Sequence, residues 1–374
     1  MRVALVTPDL RRASGGPAVS VIQLAEALAR EGADVELHTA GEAPRPCAAR
    51  LSILAAPSAW PRRLGRSPEL RAGLLASTAD VIHANGLWML PLRHACQAAQ
   101  RRSVPLVISP RGMLAPWALR RSPLRKRLAA LVVHPGAFQA AAGWHATAEM
   151  EEQDIRAFGL AQPVCVAPNG IAAVEQDPEP VRLHYLDAAQ ALRGKRILLF
   201  YSRFHSKKRI RELLRDFAGL APRHPGWHLL AVGIPEEYSV ESLRAEARHL
   251  GIEHVTTILD GSRAPAPYAL ADLFILPTHS ENFGQVVAEA LAQGVPVLTT
   301  TSTPWGRLDA VGAGRCVALT DMPRTLGELM AVSRDRLREM GARGREWVLE
   351  EFDWGATARR LLDFYESLRS NGAA

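Results

Sequence analysis

The sequence predicts an α/β protein of two doubly wound parallel-sheet domains that face a central cleft. A chain of 374 residues is longer than a single hydrophobic core usually supports. Apolar residues make up 48% of it, enough to fill two ordinary cores. Short apolar runs alternate with amphipathic stretches, a pattern typical of a parallel sheet covered by helices on both faces. The alternation pauses at Asp177-Pro178-Glu179-Pro180, which we interpret as a linker, and then restarts.

The first domain is expected at residues 1–178. Pro17–Glu31 predicts a helix, because its apolar residues fall on one face, Pro17 occupies the first turn and Gly32 follows the end. Short apolar runs predict the strands of this domain. They are Val3–Thr7, Val35–Thr39, Val81–Ala84, Leu106–Ser109, Trp144–Thr147 and Val164–Ala167.

The second domain is expected at residues 179–352, followed by a C-terminal helix and tail at 353–374. An apolar stripe between Trp354 and Leu368 indicates that helix. The predicted strands of the second domain are Ile197–Tyr201, His228–Val232, Thr256–Leu259, Leu273–Leu276, Val295–Thr299 and Cys316–Leu319.

The composition predicts a cytoplasmic protein without a metal centre. The 4 cysteines are scattered and form no CxxC pair, so neither a zinc site nor a disulfide framework is expected. The N-terminal apolar run is too short for a signal peptide, and the longest stretch without Asp, Glu, Lys or Arg, Leu128–Ala148, is interrupted by proline, glycine and histidine.

The net charge of +7 is unevenly placed along the chain. Between Arg50 and Arg127 there are fourteen Arg or Lys and only two acidic residues, Glu69 and Asp80. These cations either lie on ordinary solvated faces or form a surface that meets anionic lipid headgroups or a polyanionic acceptor. Nucleic acid is not an expected partner, because no recognition motif accompanies the charge.

A glutamate-bearing segment after the strand Leu273–Leu276 indicates a diphosphate site. Glu281 lies in a strand-to-helix loop, and the amides that follow it begin a helix, where free N–H groups and the helix dipole bind phosphate. Glu289, about two turns further on, could accept hydrogen bonds from ribose hydroxyls. The alternative is an acidic helix start and a surface glutamate. The residues expected to meet the donor here are Asn282, Phe283 and Gly284.

A second motif, Ser202–Arg209, places a dense positive cluster directly after the strand Ile197–Tyr201. Arg203 can donate two parallel hydrogen bonds to phosphate oxygens, and Lys208 can attract phosphate as a point charge. The chain has only four lysines, and two of them are adjacent here. The alternative is a solvated basic turn.

Three weaker signals complete the candidate site. Gly15 and Gly16 precede a helix and allow close backbone approach to a ligand, although a plain turn is an equal alternative and the GxGxxG dinucleotide fingerprint is missing. His83 and His145 lie at strand ends, in either catalytic or structural roles. Trp88 either lines the acceptor side or belongs to the core.

Taken together, these motifs resemble those of the large retaining glycosyltransferase family 4, and the resemblance covers essentially the whole chain. Glu281 and Glu289 are similar to the family's Glu-x7-Glu motif, Arg203 and Lys208 match its phosphate-binding pair, and Gly15-Gly16 matches its glycine loop. Weaker matches are Pro168-Asn169-Gly170, Trp354 with its helix, Ser109–Leu114 with Pro116-Trp117, and Thr303-Pro304-Trp305.

The resemblance has three departures. Many members have a histidine that touches the donor sugar where this chain has Arg111, so that role falls to Arg111, His83 or His145. Arg209 stands where a glycine usually follows the second lysine. The loop Gly233-Ile234-Pro235 lacks the usual Gly-x-Gly.

The resemblance implies a GT-B fold of two Rossmann-like domains, with a C-terminal helix that crosses back to the first. It implies metal-independent, retaining transfer of a hexosyl group from a UDP- or GDP-linked sugar, with no cofactor. The expected acceptor is a glycan or lipid-linked glycan in bacterial exopolysaccharide or lipopolysaccharide synthesis, at the inner face of an anionic membrane. The alternatives are a sugar-nucleotide epimerase of similar architecture and an inactive nucleotide-binding scaffold.

Overall fold

The computed structural model describes residues 1–10, 16–42, 48–171, 178–188 and 190–372. The chain divides into two compact units. Unit 1 comprises Met1–Gly170 and Phe352–Ala374, and unit 2 comprises Ile171–Glu351. Each is built around one parallel sheet.

Unit 1 contains a seven-stranded sheet in which every neighbouring pair is parallel. Its strands are β1 (Arg2–Thr7), β2 (Asp34–Ala40), β3 (Leu51–Ala56), β4 (Val81–Asn85), β5 (Leu106–Ser109), β6 (Gly143–Ala146) and β7 (Val164–Val166). The order β3-β2-β1-β4-β5-β6-β7 is that of a doubly wound sheet extended by one strand.

The strand β3 was not predicted from the sequence. This strand pairs only with β2, at the edge of the sheet, and most of its side chains are at least partly exposed. It contains a single β-branched residue, Ile53, and no polar–apolar alternation. An edge strand of this kind carries little of the apolar signal that reveals buried strands.

Helices cover both faces of the unit 1 sheet. Side chains alternate along each strand, so Ala4 and Val6 belong to one buried cluster while Val3 and Leu5 belong to the other. The helices are α1 (Gly16–Arg30), α2 (Pro68–Ala76), α3 (Leu90–Arg102), α4 (Pro116–Arg120), α5 (Pro123–Leu128), which continues into a π-helical turn (Ala129–Val133), and α6 (Glu149–Ala157).

Unit 2 begins with a helix where a linker was predicted. Asp177 lies outside the described residues, but Pro178, Glu179 and Pro180 open α7 (Pro178–Ala188). The linker prediction is wrong there because proline fits the first turn of a helix, where the missing N–H has no intrahelical partner to lose.

The unit 2 sheet has six parallel strands in the order β10-β9-β8-β11-β12-β13. The strands are β8 (Arg196–Tyr201), β9 (Trp227–Gly233), β10 (Thr256–Asp260), β11 (Leu273–Leu276), β12 (Val297–Thr300) and β13 (Gly314–Val317). The remaining helices of this unit are α8 (Ile210–Leu220), α9 (Val240–His249), α10 (Gln285–Ala292), α11 (Leu308–Val311), α12 (Met322–Ala331) and α13 (Arg334–Glu351).

The C-terminal helix α14 (Trp354–Gly372) belongs to unit 1, not to the unit that precedes it in sequence. It packs against α1, and Ala358, Leu361 and Tyr365 are fully buried in the cluster that contains Leu24. The hydroxyl of Thr357 donates to the carbonyl oxygen of Pro168 at 2.7 Å. Two doubly wound parallel-sheet domains and the returning helix are therefore confirmed.

None of the described helices combines the length and the apolar character needed to cross a membrane.

Candidate active site

The strand order of unit 2 reverses between β8 and β11, with β9 and β10 on one side and β12 and β13 on the other. Ligands of doubly wound sheets bind outside the carboxyl ends of the strands at such a switch point. The loop after β8 carries Arg203 and Lys208, and the loop after β11 carries Glu281. The topology thus brings the two strongest sequence motifs to the same place.

Backbone hydrogen bonds tie these loops together. The amide of His279 donates to the carbonyl oxygen of Lys207 at 2.9 Å, which joins the loop after β11 to the loop after β8. The amide of Glu281 donates to the carbonyl oxygen of Ser302, in the loop after β12, at 3.0 Å. The side chains of the site therefore project from loops that are joined to one another by backbone hydrogen bonds.

Lys208 and Glu281 form a buried ion pair, in which Nζ of Lys208 donates to Oε1 of Glu281. Their side chains are only 9% and 11% exposed. Burial of Glu281 by itself raises its pKa, but the positive charges of Lys208 and Lys207 outweigh burial and leave the pKa below its usual value. Glu281 is therefore a carboxylate at neutral pH.

Lys207 adds a third cation to the cluster. Burial lowers the pKa of Lys207 to about 8; the charge of Glu281 opposes this change, and the charges of Lys208 and Arg203 reinforce it. The protein thus concentrates positive charge at the switch point against the cost of desolvation, a feature typical of functional sites.

Arg203 is partly exposed and pairs with Glu236 of the loop after β9, with Nη1 and Oε2 separated by 2.8 Å. An exposed pair of this kind contributes only about 0–1 kcal/mol. Arg203 can therefore exchange this carboxylate for a phosphate at little cost.

Arg209 adopts a left-handed conformation with φ = +57°, directly before α8. A side chain in this conformation costs roughly 1–2 kcal/mol relative to glycine. This strain explains why glycine is usual at this position of the motif. Its guanidinium reaches Nε2 of His279 at 3.3 Å, another contact between the loops after β8 and β11.

We expect Arg209→Gly to be more stable than Arg209→Ala by about 1 kcal/mol, because both lose the side-chain contacts but only glycine relieves the backbone strain. Thermal unfolding of the two variants measures the difference, which corresponds to roughly 2–4 °C. Equal midpoints would show that the backbone is not strained at this position.

Gly284 directly precedes α10 and adopts a left-handed conformation, with φ = +79°. A Cβ at this position would lie 3.0 Å from Nε1 of Trp305, and that same Nε1 donates to the carbonyl oxygen of Phe283 at 2.6 Å. Within the described part of the chain, the amides of Gln285 and Val286 donate to no backbone oxygen. Amides without backbone acceptors at the first turn of a helix can donate hydrogen bonds to an anion.

Two buried side-chain oxygens, Oδ1 of Asn282 and Oε1 of Gln285, find no hydrogen-bond partner among the described residues. Buried polar atoms are normally paired. Both atoms belong to the segment that opens α10, so this segment offers unused acceptors as well as free amides.

Glu289 lies on α10 and accepts a hydrogen bond at 2.7 Å from the hydroxyl of Tyr268. Burial raises the pKa of Glu289, and hydrogen bonds from Tyr268 and Gln285 act in the opposite direction. Tyr268 was not predicted from the sequence, because it lies in a turn between β10 and β11 that has no spacing relation to α10. Tyr268 fixes the orientation of the predicted ribose-binding carboxylate.

In unit 1, Arg111 is buried in the loop after β5, with 8% of its surface exposed. Its Nε and Nη2 donate to Oδ1 of Asn85 at 3.0 and 2.8 Å, and Nη1 donates to Oδ1 of Asn169 at 3.0 Å. Burial lowers the pKa of Arg111 to about 10, against the charge of Glu151, so it remains a cation at neutral pH.

Glu151 is a second residue that was not predicted from the sequence. Its carboxylate is buried and accepts bonds from the amides of Gly112 at 2.7 Å and Thr147 at 2.8 Å. It therefore joins the loops after β5 and β6, and its charge opposes the effect of burial on the pKa of Arg111. The sequence signal that could have identified Glu151 is its position as an acidic residue in the first turn of a helix that follows a strand.

His83 and His145 lie inside the unit 1 core, 0% and 1% exposed. Nδ1 of His83 is 2.7 Å from the hydroxyl of Tyr365 on α14, and Nε2 of His145 is 2.8 Å from the carbonyl oxygen of Ala167. Burial and the charge of Arg111 lower the pKa of His145 to about 3. Each ring also has one buried nitrogen, Nε2 of His83 and Nδ1 of His145, with no partner among the described residues, so a catalytic role for either histidine stays a prediction.

The remaining predicted residues are placed as follows. Gly15 lies outside the described residues, and Gly16 begins α1. Trp88 has φ = +66°, and its ring packs 5.7 Å from that of His134 and 5.8 Å from that of Phe138. Trp88 therefore lies in the loop that follows β4 and belongs to an aromatic cluster with His134 and Phe138.

The described residues contain no group of three or more His, Cys, Asp or Glu side chains arranged to hold a metal ion. Metal independence stays a prediction.

Comparison with known proteins gives two family matches. Residues 186–315 match the model described as glycosyl transferases group 1, and residues 15–170 match the glycosyl transferase 4-like domain. The first match includes Lys208, Glu281 and Glu289, and the second includes Arg111.

Three curated relatives show the level of similarity. The chain is 30% identical over 234 residues to a GDP-mannose-dependent α-(1-6)-phosphatidylinositol monomannoside mannosyltransferase of Mycobacterium tuberculosis, a match covering 58% of this chain and 59% of the relative. It is 35% identical over 188 residues to a D-inositol 3-phosphate glycosyltransferase of Nocardia farcinica, covering 46% and 41%. It is 27% identical over 191 residues to a GDP-mannose:cellobiosyl-diphosphopolyprenol α-mannosyltransferase of Komagataeibacter xylinus, covering 49% and 48%. The chain thus spans about half the length of these relatives.

Solved structures share the fold over nearly the whole chain. Sucrose-phosphate synthase from Thermosynechococcus elongatus aligns with a TM-score of 0.75 at 20% identity, covering 99% of this chain and 100% of that one. Anabaena HepE in complex with UDP-glucose aligns with a TM-score of 0.75 at 17% identity, covering 98% and 100%. With both halves matched by family models and the fold shared from end to end, the chain belongs to the GT4-type glycosyltransferases of GT-B fold.

Proposed function

We propose that this protein transfers a hexosyl group from a UDP- or GDP-linked sugar to a hydroxyl of a lipid-linked glycan, with retention of anomeric configuration. The observation that carries the proposal is the buried Lys208–Glu281 ion pair at the switch point between β8 and β11. A buried ion pair is weak evidence for stability, because desolvation offsets much of the attraction. Its location beside an open helix N-terminus supports a role in donor binding.

The donor diphosphate is proposed to bind between the first turn of α10 and the loop after β8. As the bond between the anomeric carbon and the diphosphate breaks, negative charge grows on the departing oxygen. The α10 amides, Lys208 and Arg203 are aimed at that charge, and stabilisation by groups already in position is usually the largest contribution to such catalysis. Glu289 would accept hydrogen bonds from the ribose hydroxyls.

Glu281 is proposed to hold the sugar hydroxyls rather than to attack the sugar. Lys208 already binds one oxygen of its carboxylate, which lowers the reactivity of Glu281 as a nucleophile. Retention then follows from front-face attack. The acceptor hydroxyl forms the new bond to the anomeric carbon on the side from which the diphosphate leaves, and its proton passes to the departing phosphate oxygen. The cations of the site supply the charge stabilisation that a metal would otherwise provide.

A lipid-linked acceptor is supported by two lines of argument. Two relatives are named for phosphatidylinositol monomannoside and for cellobiosyl-diphosphopolyprenol, both of which carry a lipid. The basic surplus of the first domain suits an anionic membrane face. We therefore propose a role in bacterial surface glycan synthesis, of the exopolysaccharide or lipopolysaccharide type, at the cytoplasmic face of the membrane.

Thermal-shift measurements with UDP, GDP, ADP, dTDP and NAD, each with and without magnesium, test the donor class. A ligand at a hundred times its Kd stabilises the folded protein by about 2.7 kcal/mol, which is several degrees at roughly 2–4 °C per kcal/mol. We expect UDP or GDP to produce this shift without magnesium. The proposal would be contradicted if NAD alone produced a shift, or if none of the nucleoside diphosphates produced one.

Product analysis separates transfer from its alternatives. With the matching nucleotide sugar and a polyprenyl-linked glycan, we expect a lengthened glycolipid that keeps the donor's anomeric configuration. An isomerised nucleotide sugar formed without acceptor would identify an epimerase. Diphosphate binding without any product from a panel of acceptors would favour the scaffold.

A further inference from the structure

The segment Arg120–Val133 of unit 1 exposes large apolar side chains. Among the described residues, nine large hydrophobic side chains are exposed, and four of them lie within this segment. They are Leu124 (77% exposed), Leu128 (61%), Leu131 (75%) and Val132 (59%). Such a concentration is unusual for a soluble surface, where exposed apolar residues are normally scattered singly.

These four side chains share one face of a continuous helical stretch. The segment runs through α5 into the π-helical turn Ala129–Val133. Leu124 and Leu128 are four residues apart, and Leu131 and Val132 follow after three and four more. Residues at this spacing lie above one another along a helix, so the apolar groups form a stripe.

Basic residues border the stripe. At about 100° per residue, Arg125 and Arg127 lie on its two opposite sides. Arg120 and Arg121 precede it, and Arg120, Arg125 and Arg127 have no carboxylate within ion-pair distance among the described residues. The sequence contains no Asp or Glu from Val81 to Ala148. Nothing in this stretch therefore repels an anionic surface.

We propose that Arg120–Val133 is a membrane-docking segment, whose leucine stripe enters the headgroup–acyl boundary of an anionic lipid leaflet while its arginines contact the phosphates. This inference deepens the proposed function, on which its biological purpose rests: a lipid-linked acceptor requires the enzyme to work at a membrane. An interfacial helix with an apolar face and flanking Arg or Lys is the structure that binds such surfaces in the plane of the membrane.

A second copy of the chain fits this surface less well. In a symmetric dimer the same patch meets itself, so Arg125 and Arg127 of the two copies would be brought together with no acidic residue between Val81 and Ala148 to compensate. An anionic lipid surface complements both the charge and the apolar stripe, because headgroup phosphates lie directly above the acyl chains.

Co-sedimentation with vesicles tests the proposal. The full chain is mixed with vesicles of phosphatidylcholine alone, or of phosphatidylcholine with phosphatidylglycerol, at low and high salt. We expect binding only to the anionic vesicles. The double variant Leu128→Gln/Leu131→Gln should bind at least about tenfold more weakly, whereas the matched control Leu54→Gln/Leu183→Gln, at residues 44% and 52% exposed elsewhere, should bind normally.

The charge contribution has its own pair of variants. Arg125→Gln/Arg127→Gln should weaken binding by about fivefold per residue at low salt, and high salt should reduce this difference because exposed charges are screened. Arg315→Gln/Arg324→Gln, which removes two exposed arginines of unit 2, is the control.

Three outcomes would overturn the inference: wild-type protein that does not bind anionic vesicles, leucine variants that bind as the wild type does, or a lipid-free dimer that the leucine variants dissociate. The diphosphate thermal shift is measured in parallel on the wild-type protein and on the leucine variants, and both should show it. A wild-type protein that shows the shift but does not bind vesicles rejects docking alone, whereas a wild-type protein that binds vesicles but shows no diphosphate shift rejects the proposed transfer reaction alone.

Discussion

Replacing Lys208 by Met should lower kcat by about 10²–10³ while the protein still folds at moderate temperature. The loss follows from removing a positive charge that is proposed to stabilise the departing diphosphate, an effect of the size seen when one preorganised donor is deleted. Steady-state kinetics at saturating donor measure it. Lys195→Met, in the same unit but outside the switch point, is the matched control and should keep wild-type turnover.

The same variant should unfold at a lower temperature, because Glu281 then remains buried without its cation. Breaking a buried pair by removing one partner costs roughly 3–5 kcal/mol. The double variant Lys208→Met/Glu281→Gln removes both charges and should regain most of the stability without regaining turnover. If turnover returned along with stability, Lys208 would be a structural residue rather than a catalytic one.

Replacing Glu289 by Ala should raise the donor KM by about 10- to 100-fold and also lower turnover. A carboxylate that accepts hydrogen bonds from ribose contributes roughly 1.5–3 kcal/mol per bond, and its loss weakens donor binding before chemistry begins. Initial rates over a range of donor concentrations, at saturating acceptor, separate the change in KM from the change in kcat. An unchanged donor profile would remove Glu289 from the site.

Tyr268→Phe provides the companion measurement. Its hydroxyl donates to Glu289 but is proposed to make no contact with the donor, so Tyr268 is a positioning residue. We expect a smaller rise in KM than for Glu289→Ala, and no additional effect in the double variant Tyr268→Phe/Glu289→Ala. Additive effects would show that Tyr268 acts on the donor independently of Glu289.

Much of the fold was predictable because strands of a parallel sheet are buried on both faces and appear as short apolar runs. Every strand except β3 gave that signal, and β3 lies at an edge where few side chains are buried. The helix that begins at Trp354 was predictable from its stripe of apolar side chains. The helical start at Pro178 was not, since proline marks both linkers and first helical turns.

The candidate site was predictable to the extent that its residues lie next to strands. Arg203 and Lys208 follow β8, and Glu281 follows β11, so strand prediction alone places them at one edge of the sheet. Tyr268 and Glu151 were missed, because each acts on a residue in another element. The roles of His83 and His145 were left open, because a histidine at a strand end has the same sequence signature whether it is buried or exposed.

The sequence by itself determined the strand and helix alternation, the charge distribution and the loops that carry the predicted phosphate-binding residues, since all of these depend on residues close together in the chain. Only the tertiary structure decided which side chains meet. It paired Lys208 with Glu281 across 73 residues and His83 with Tyr365 across 282 residues. It also left Leu124, Leu128 and Leu131 uncovered, because burial depends on which elements pack together and not on the hydrophobicity of a segment alone.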